Sequence, residues 1–374
     1  MEGIFSTVLM VAGAVIIDGW TAFGEAPADT RLDRMQASSQ WDGDGFENPQ
    51  PLWNDILGAA FTNVAPAQVP SEPLPVEAVP ASRFEIPPDS GLRVTWLGHS
   101  TTLIEIDGVR VLTDPVWSEV ISPVDWAGPR RWYAPPLKLE DVPAIDAVVI
   151  SHDHYDHLDY PTIEAMLAWD TQFIAPLGVG AHLEYWGVPP SRITELDWWE
   201  ETAVEGLTIT ATPARHASGR HVLDQNRTLW AGYALTSTEH RVYFSGDTGL
   251  FPAMKTIGER LGPFDLTMIE VGAYDQGWPD WHIGPEQAVR AHEWVQGDVL
   301  LPIHWGLFDL ANHGWTEPME RVVVEAESRC VPLASVVPGG SVEPIDVIIG
   351  PTRWWPFAPW RQAYDYPVIS TKVD

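Results

Sequence analysis

The chain has 374 residues, 45% of them hydrophobic and 20% charged, and a formal net charge of −31 at pH 7. That size and composition can bury a sizeable core, in one large domain with appendages or in two domains. So negative a surface repels phosphate backbones and excludes nucleic acid as an expected partner. The single cysteine, Cys330, rules out an intrachain disulfide framework.

A hydrophobic segment comes first. Residues 4–17 carry no charge, and only Asp18 interrupts an apolar stretch that continues to Phe23. The uncharged stretch of residues 4–17 has the length of the apolar part of a signal peptide. It is too short for a full membrane span, which needs about 20 residues. The Lys or Arg of a signal peptide is missing, however. We therefore expect residues 1–24 to anchor the protein in a bacterial inner membrane or cell envelope. A cleaved signal with a periplasmic protein is the second choice, and a buried helix the third.

Three further segments follow along the chain. Residues 25–90, rich in Pro, Ala and Glu, predict a tether and a wrapping arm. Alternating strand and helix patterns over residues 91–345 predict one α/β domain, with helices at 161–167 and 285–295. A tail rich in tryptophan occupies residues 346–374.

The most informative pattern follows an apolar run at 145–150, which predicts a buried strand. Residues 151–157 read Ser-His-Asp-His-Tyr-Asp-His, with three imidazoles and two carboxylates in seven residues. Neutral imidazole and carboxylate suit zinc and its borderline neighbours. Such loops can also be solvated surface, but the full His-x-His-x-Asp-His pattern after a strand predicts a metal site.

Three later residues, His216, Asp247 and His304, each follow an apolar strand-like run. Any one of them alone could be an ordinary core histidine or turn aspartate. Together and in this order, they resemble the metallo-β-lactamase superfamily. The resemblance implies a four-layer αββα sandwich with two metals. The ligands it assigns are His152, His154 and His216 for the first metal, Asp156, His157 and His304 for the second, and Asp247 as a bridge.

Two ions have a physical purpose in such a site. They hold a hydroxide between them, lower its pKa toward neutrality, and clamp the attacking and leaving oxygens of a displacement. We expect two zinc ions, although His and Asp serve manganese and iron equally well. The ligand set contains no thiolate, which excludes a structural zinc of the cysteine type.

Other segments narrow the resemblance to one branch of the superfamily. Residues 96–108 and 111–117, then 281–290 and 303–308, are similar to motifs of N-acyl-phosphatidylethanolamine-hydrolysing phospholipase D and its bacterial relatives. Residues 43–49 resemble the segment that precedes the catalytic fold in that branch. The matches span roughly residues 30–320, and neither end of the chain takes part.

The branch implies roles for individual residues. Asp156 and His282 become the expected catalytic residues. In the resembling phospholipase, the histidine at the position of His282 faces the substrate phosphate rather than a metal. It lies just before Pro285, which marks a helix start whose free N–H groups favour an anion. A buried capping histidine is the alternative.

Four more residues are expected near the site. In related proteins the aspartate at the position of Asp114 accepts the second ring N–H of a metal-bound histidine, although an Asx turn before proline is the alternative. His99 is expected beside the site without being a ligand. Arg130 and Arg131 stand out on an acidic chain and could bind a headgroup phosphate, with a structural loop as the alternative.

The resemblance implies hydrolysis of a phosphodiester. The expected substrate is N-acylphosphatidylethanolamine at a membrane surface, split by the metal-bridging hydroxide into N-acylethanolamine and phosphatidic acid, with a homodimer as one possible assembly. The same scaffold hosts lactonases and small-molecule phosphodiesterases, so these remain alternatives. A non-enzymatic envelope protein stabilised by its metals is the third.

Overall fold

The computed structural model describes residues 18–59, 64–347 and 350–373. Within them, thirteen strands form two mixed sheets. The strands are β1 Leu92–Gly98, β2 Thr101–Ile106, β3 Val109–Thr113, β4 Ala147–Val149, β5 Gln172–Pro176, β6 Ile193–Leu196, β7 Glu201–Val204, β8 Leu207–Thr212, β9 Gly232–Thr236, β10 Arg241–Phe244, β11 Phe264–Glu270, β12 Gly297–Ile303 and β13 Ser341–Val342.

The α-helices in these ranges are mostly short. They are α1 Asp29–Gln36, α2 Ile56–Ala59, α3 Tyr160–Ala165, α4 Gly180–Tyr185, α5 Ala253–Leu261, α6 Pro285–Trp294 and α7 Glu317–Arg329. Single 3-10 turns occupy Thr21–Phe23, Ala81–Phe84, Leu139–Asp141, Pro190–Arg192 and Pro344–Asp346. The helices expected at 161–167 and 285–295 are thus present as α3 and α6. The second begins at Pro285, whose missing N–H costs nothing at a first helical position.

The two sheets share a plan. The first has the order β13-β1-β2-β3-β4-β5-β6 and the second β12-β11-β10-β9-β8-β7. In each, antiparallel hairpins lead into parallel strands, β3 to β6 in the first and β10 to β12 in the second. Parallel neighbours need crossover connections, and helices α3 to α6 lie in four of them. The predicted α/β sandwich of two sheets flanked by helices is confirmed.

Side chains alternate between two apolar layers along the strands, as the period of two requires. Val111 joins the large core between the sheets, together with Ile209 and Met268 of the second sheet. Its neighbour Leu112 faces the other way and packs in a separate core with Ile163 of α3. Burial on both faces explains why the strands read as nearly continuous apolar runs.

The ends of the described chain pack against this sandwich. Arg31 of α1 pairs with Glu195, with 2.6 Å between Nε and Oε2. Trp354 and Trp355 of the tail lie 5.3 and 5.5 Å from the ring of Trp305. The tail tryptophans therefore pack directly behind the loop that follows β12.

The membrane localisation predicted from the N-terminus is wrong for the described ranges, which contain no helix long and apolar enough to cross a membrane. The longest, Glu317–Arg329, has 13 residues and carries charges throughout, whereas a span needs about 20 apolar residues. Residues 1–17 of the expected anchor lie outside the described residues. Its last part forms the turn Thr21–Phe23, where Ala22 is buried.

Candidate metal centre

The predicted metal ligands lie where strands end, at one edge of the sandwich. Residues 152–157 follow β4 in the first sheet, whereas His216, Asp247 and His304 follow β8, β10 and β12 in the second. The ends of the two sheets therefore bring together side chains that are far apart in sequence.

Three histidine nitrogens converge to form a first cluster. His152 Nε2 lies 2.8 Å from His154 Nδ1, which lies 3.3 Å from His216 Nε2. The three nitrogens lie within 4.8 Å of one another. Three imidazoles around one point are a common arrangement for a divalent cation with an open position.

The second cluster contains two histidines and a carboxylate. His157 Nε2 and His304 Nε2 each lie 3.4 Å from Asp156 Oδ2. They also lie 3.1 Å from Asp247 Oδ2. A divalent ion at this point would meet both nitrogens and an oxygen from each aspartate.

Asp247 lies between the clusters. Its Oδ2 is 3.9 Å from His152 Nε2 and 3.8 Å from His216 Nε2, in addition to its contacts in the second cluster. Gly246 makes this position possible, because its φ is +56° and a Cβ there would lie 2.7 Å from the Ser151 Cβ. Only glycine accepts both conditions without strain.

The donor atoms fit divalent metal ions. His157 Nε2, His304 Nε2 and Asp247 Oδ1 are buried and have no hydrogen-bond partner. An unsatisfied buried polar group costs about 1–3 kcal/mol, so atoms left unpaired around common points call for a cation. Imidazole with carboxylate suits zinc, manganese or iron, and the residues alone do not choose among them.

The histidines of the two clusters differ in the direction of their pKa shifts. Burial lowers the pKa of His152 and of His216 well below the usual histidine value, so these rings are neutral and ready to bind a metal. Burial also opposes charge on His304, but the carboxylates of Asp247 and Asp156 outweigh it and raise the pKa to about 10. A metal entering the second cluster therefore displaces protons.

Partners on the far side of the rings fix their orientation. The Nδ1–H of His157 donates to Asp114 Oδ2 over 2.7 Å, and the same carboxylate accepts the backbone N–H and hydroxyl of Ser151. The Nδ1–H of His216 donates to the carbonyl of Trp281 over 2.8 Å. Each contact leaves Nε2 directed at the clusters, as in other histidine metal sites.

His99 is buried beside the second cluster. Its Nε2 lies 3.0 Å from Asp156 Oδ2, and its ring centroid lies 4.0 Å from that of His304. Burial and the neighbouring His304 lower the pKa of His99 to about 3, so the neutral ring donates its N–H to Asp156. His99, Asp114 and His304 have φ values of 52°, 33° and 64°. Such left-handed conformations are uncommon for residues other than glycine and concentrate at functional sites.

A cavity of about 270 Å³ opens above both clusters. Its floor carries polar side chains and its walls are apolar. The floor is formed by His154, Asp156, Asp247, His282 and His304, and the walls by Ile56, Ala273, Trp278, Trp281 and Leu310. His282 thus lies in the cavity, with its Nδ1 3.7 Å from Asp247 Oδ2.

Arg130 and Arg131 do not line this cavity. Arg130 is exposed and pairs with Glu119. Arg131 is mostly buried and donates to the carbonyls of Trp117 and Val116, 3.3 and 3.4 Å away. The structure therefore places both arginines in the loop itself, in keeping with the structural alternative.

Sequence reasoning missed two residues of the site. Glu270 ends β11, is fully buried, and lies 2.7 Å from His282 Nδ1 through Oε2. Its position after an apolar strand, like that of Asp247, is the signal that could have found it. The side chain of Asn48 bonds both the N–H and the C=O of His216. It lies in segment 43–49, which was recognised only as a motif.

Comparison with known proteins agrees with this geometry. The β-lactamase superfamily domain matches residues 109–305. An uncharacterized protein of Mycobacterium tuberculosis is 50% identical over 296 residues, which is 77% of each chain. N-acyl-phosphatidylethanolamine-hydrolyzing phospholipase D 1 of Caenorhabditis elegans is 37% identical over 324 residues, covering 79% of this chain and 90% of the worm protein. The solved structure of a metallo hydrolase from the archaeon Ignicoccus hospitalis superposes with a TM-score of 0.52 at 25% identity, covering 67% of this chain and 97% of that one.

Proposed function

The chain belongs to the metallo-β-lactamase superfamily and is a metal-dependent hydrolase of that superfamily, and on this premise we propose that it cleaves N-acylphosphatidylethanolamine. The products are N-acylethanolamine and phosphatidic acid, and the proposed cofactors are two zinc ions. Water oxygen joins phosphorus, the bond from phosphorus to the ethanolamine oxygen breaks, and that oxygen takes up a proton.

One observation carries the proposal. His282 shares a cavity floor with Asp247, the proposed bridge, and with members of both clusters, beneath walls that include Trp278 and Trp281. A phosphodiester of a lipid headgroup combines an anionic centre with less polar substituents, and this floor and these walls match the two parts. The 37% identical worm protein is named for the same reaction, which supports this substrate over others.

Two divalent ions bound here would supply a water of lowered pKa and would offset charge on the phosphoryl oxygens. The protein's own side chains hold the candidate ligands and His282 in place. Asp247 lies between the clusters, His99 holds Asp156 in the second, and Asp114 holds His157. His282 is placed to contact the phosphate or the leaving oxygen.

Cavity size limits what enters. A volume of about 270 Å³ suits a phosphate with its ethanolamine arm, because sites for drug-sized ligands start at about 300 Å³. The acyl chains of a phospholipid therefore extend out of the cavity. The same volume favours, as a second candidate, hydrolysis of small phosphodiesters.

The test is hydrolysis of N-palmitoyl-phosphatidylethanolamine in mixed micelles by protein of measured metal content, with products identified by mass spectrometry. We expect N-palmitoylethanolamine and phosphatidic acid, and neither from Asp247→Asn. Metal-loaded protein that cleaves bis(p-nitrophenyl) phosphate but not the lipid would favour the second candidate. Metal-loaded protein that cleaves neither phosphodiester would refute both.

A further inference from the structure

Glu270 is a buried carboxylate to which the proposed chemistry gives no role. Its exposed fraction is 0%, and it stands at the end of β11, directly behind the cavity floor. One oxygen accepts the backbone N–H of Thr248, the residue after Asp247. The other lies 2.7 Å from His282 Nδ1 and 3.7 Å from His304 Nδ1.

We propose that Glu270 is a positioning residue: it accepts the Nδ1–H of His282, fixes that tautomer, and directs His282 Nε2 into the cavity. The proposal rests on the proposed function only in that His282 acts on the substrate.

The surroundings of His282 support this assignment. The side chain is 15% exposed and lines the cavity. Glu270 holds Nδ1, whereas within the described residues no side chain or backbone group hydrogen-bonds Nε2. Turning the ring over would give up the hydrogen bond to the Glu270 carboxylate. One orientation is therefore favoured before any substrate binds.

The two acceptor oxygens of Glu270 explain why a carboxylate stands there. The Thr248 N–H is a fixed donor, and in the proposed tautomer the His282 Nδ1–H is a second donor. A glutamine has one acceptor and one donor end. Because the main-chain N–H of Thr248 cannot change, the amide oxygen would stay with it and the NH₂ group would face His282. Glu270→Gln should therefore select the opposite tautomer, with the proton on Nε2.

A competing role for Glu270 is orientation of the proposed ligand His304. The 3.7 Å separation from His304 Nδ1 is too long for a hydrogen bond, whereas the contact with His282 is within range. The two roles predict different losses, because support of His304 would show as weaker metal binding and support of His282 as slower turnover.

The first experiment measures the tautomer by long-range proton–nitrogen NMR correlations in metal-loaded protein, with His282→Asn identifying the signal. We expect the proton on Nδ1 in the unaltered chain and in Glu270→Asp, which keeps two acceptor oxygens. We expect it on Nε2 in Glu270→Gln. The same tautomer in all three would overturn the proposal. This readout needs no turnover, so it remains decisive even if the proposed substrate is wrong.

The second experiment is a double-mutant cycle on bis(p-nitrophenyl) phosphate with metal content measured. Glu270→Gln should keep its metals, leave KM near its original value and lower kcat about tenfold to a hundredfold, the range for residues that orient others. In a His282→Asn background the same change should add nothing. Glu317→Gln, which alters another fully buried carboxylate, is the matched control and should leave kcat unchanged. Loss of metal with unchanged kcat per loaded molecule would assign Glu270 to His304 and overturn the proposal.

Discussion

Among the buried groups of charged residues that the structure describes, two differ in whether their own hydrogen bonds are complete. In the first, at the tail, Glu317 of α7 is fully buried and both of its oxygens accept hydrogen bonds, chiefly from Arg361. Arg321 forms a two-bond fork with Glu286, with both distances 2.8 Å. No side-chain atom of Glu317, Arg321 or Arg361 is among the described atoms that are buried without a partner.

The two candidate metal clusters are also buried but leave atoms without hydrogen-bond partners. His157 Nε2, His304 Nε2 and Asp247 Oδ1 have no hydrogen-bond partner, although each lies among polar neighbours. Burial thus does not distinguish a structural network from a site for a ligand. The distinction is whether the chain's own donors and acceptors satisfy one another.

The largest expected effect tests the incomplete group. Asp247→Asn removes the carboxylate shared by both clusters, so metal content should fall. Activity should fall by roughly a thousandfold or more, since the metals supply several kcal/mol of charge stabilisation. Metal analysis and kcat on a phosphodiester measure the two losses. Full metal content in this variant would remove Asp247 from the proposed bridge.

A substitution in the complete group should lower the free energy of unfolding rather than the activity. Glu317→Ala leaves Arg361 without its carboxylate and should lower the free energy of unfolding by about 3 kcal/mol, as for other broken buried pairs. Activity per folded molecule should not change. Denaturant titration and active-site-normalised kcat separate the two. A loss of kcat at unchanged stability would contradict the contrast between the groups.

Asp114→Asn should have an intermediate effect. The amide cannot accept from His157 and from Ser151 with both of its ends, so His157 loses its fixed orientation. We expect metal affinity to fall about tenfold to a hundredfold, measured by competition with a chelator. Unchanged affinity would reduce the Asp114 contact to a structural turn before Pro115.

Arg130→Ala is expected to change least. The side chain is 52% exposed and pairs with Glu119 outside the cavity, and exposed pairs contribute at most about 1 kcal/mol. Both KM and stability should stay near their original values. A marked rise in KM for the lipid alone would restore the headgroup contact expected from sequence.

The sequence predicted the candidate ligands and the elements that carry them better than the residues around the site and the N-terminal segment. Residues 152–157 form a contiguous pattern, and His216, Asp247 and His304 each follow an apolar run. These motifs carry the resemblance to the superfamily, and that resemblance implied the fold and the candidate ligands together. Pro285 similarly marked the start of α6. These signals lie in contiguous stretches of sequence, so they can be recognised without knowledge of the tertiary contacts.

The remaining features depend on contacts across the chain. A single glutamate at the end of β11 forms no motif, so Glu270 gained meaning only beside His282. For Arg131 the sequence left both a phosphate contact and a structural loop open, because it does not show that the carbonyls of Val116 and Trp117 lie within hydrogen-bonding distance. The apolar N-terminus suggested a membrane, a conclusion that composition alone could not secure.

The division of ligands between the sheets has a mechanical consequence. Each cluster takes two donors from the loop after β4 and one from the second sheet, and Asp247 of the second sheet touches both. An ion in either cluster would therefore cross-link the two sheets. Loss of the metals would therefore weaken the contact between the two sheets at this edge as well as stop the chemistry.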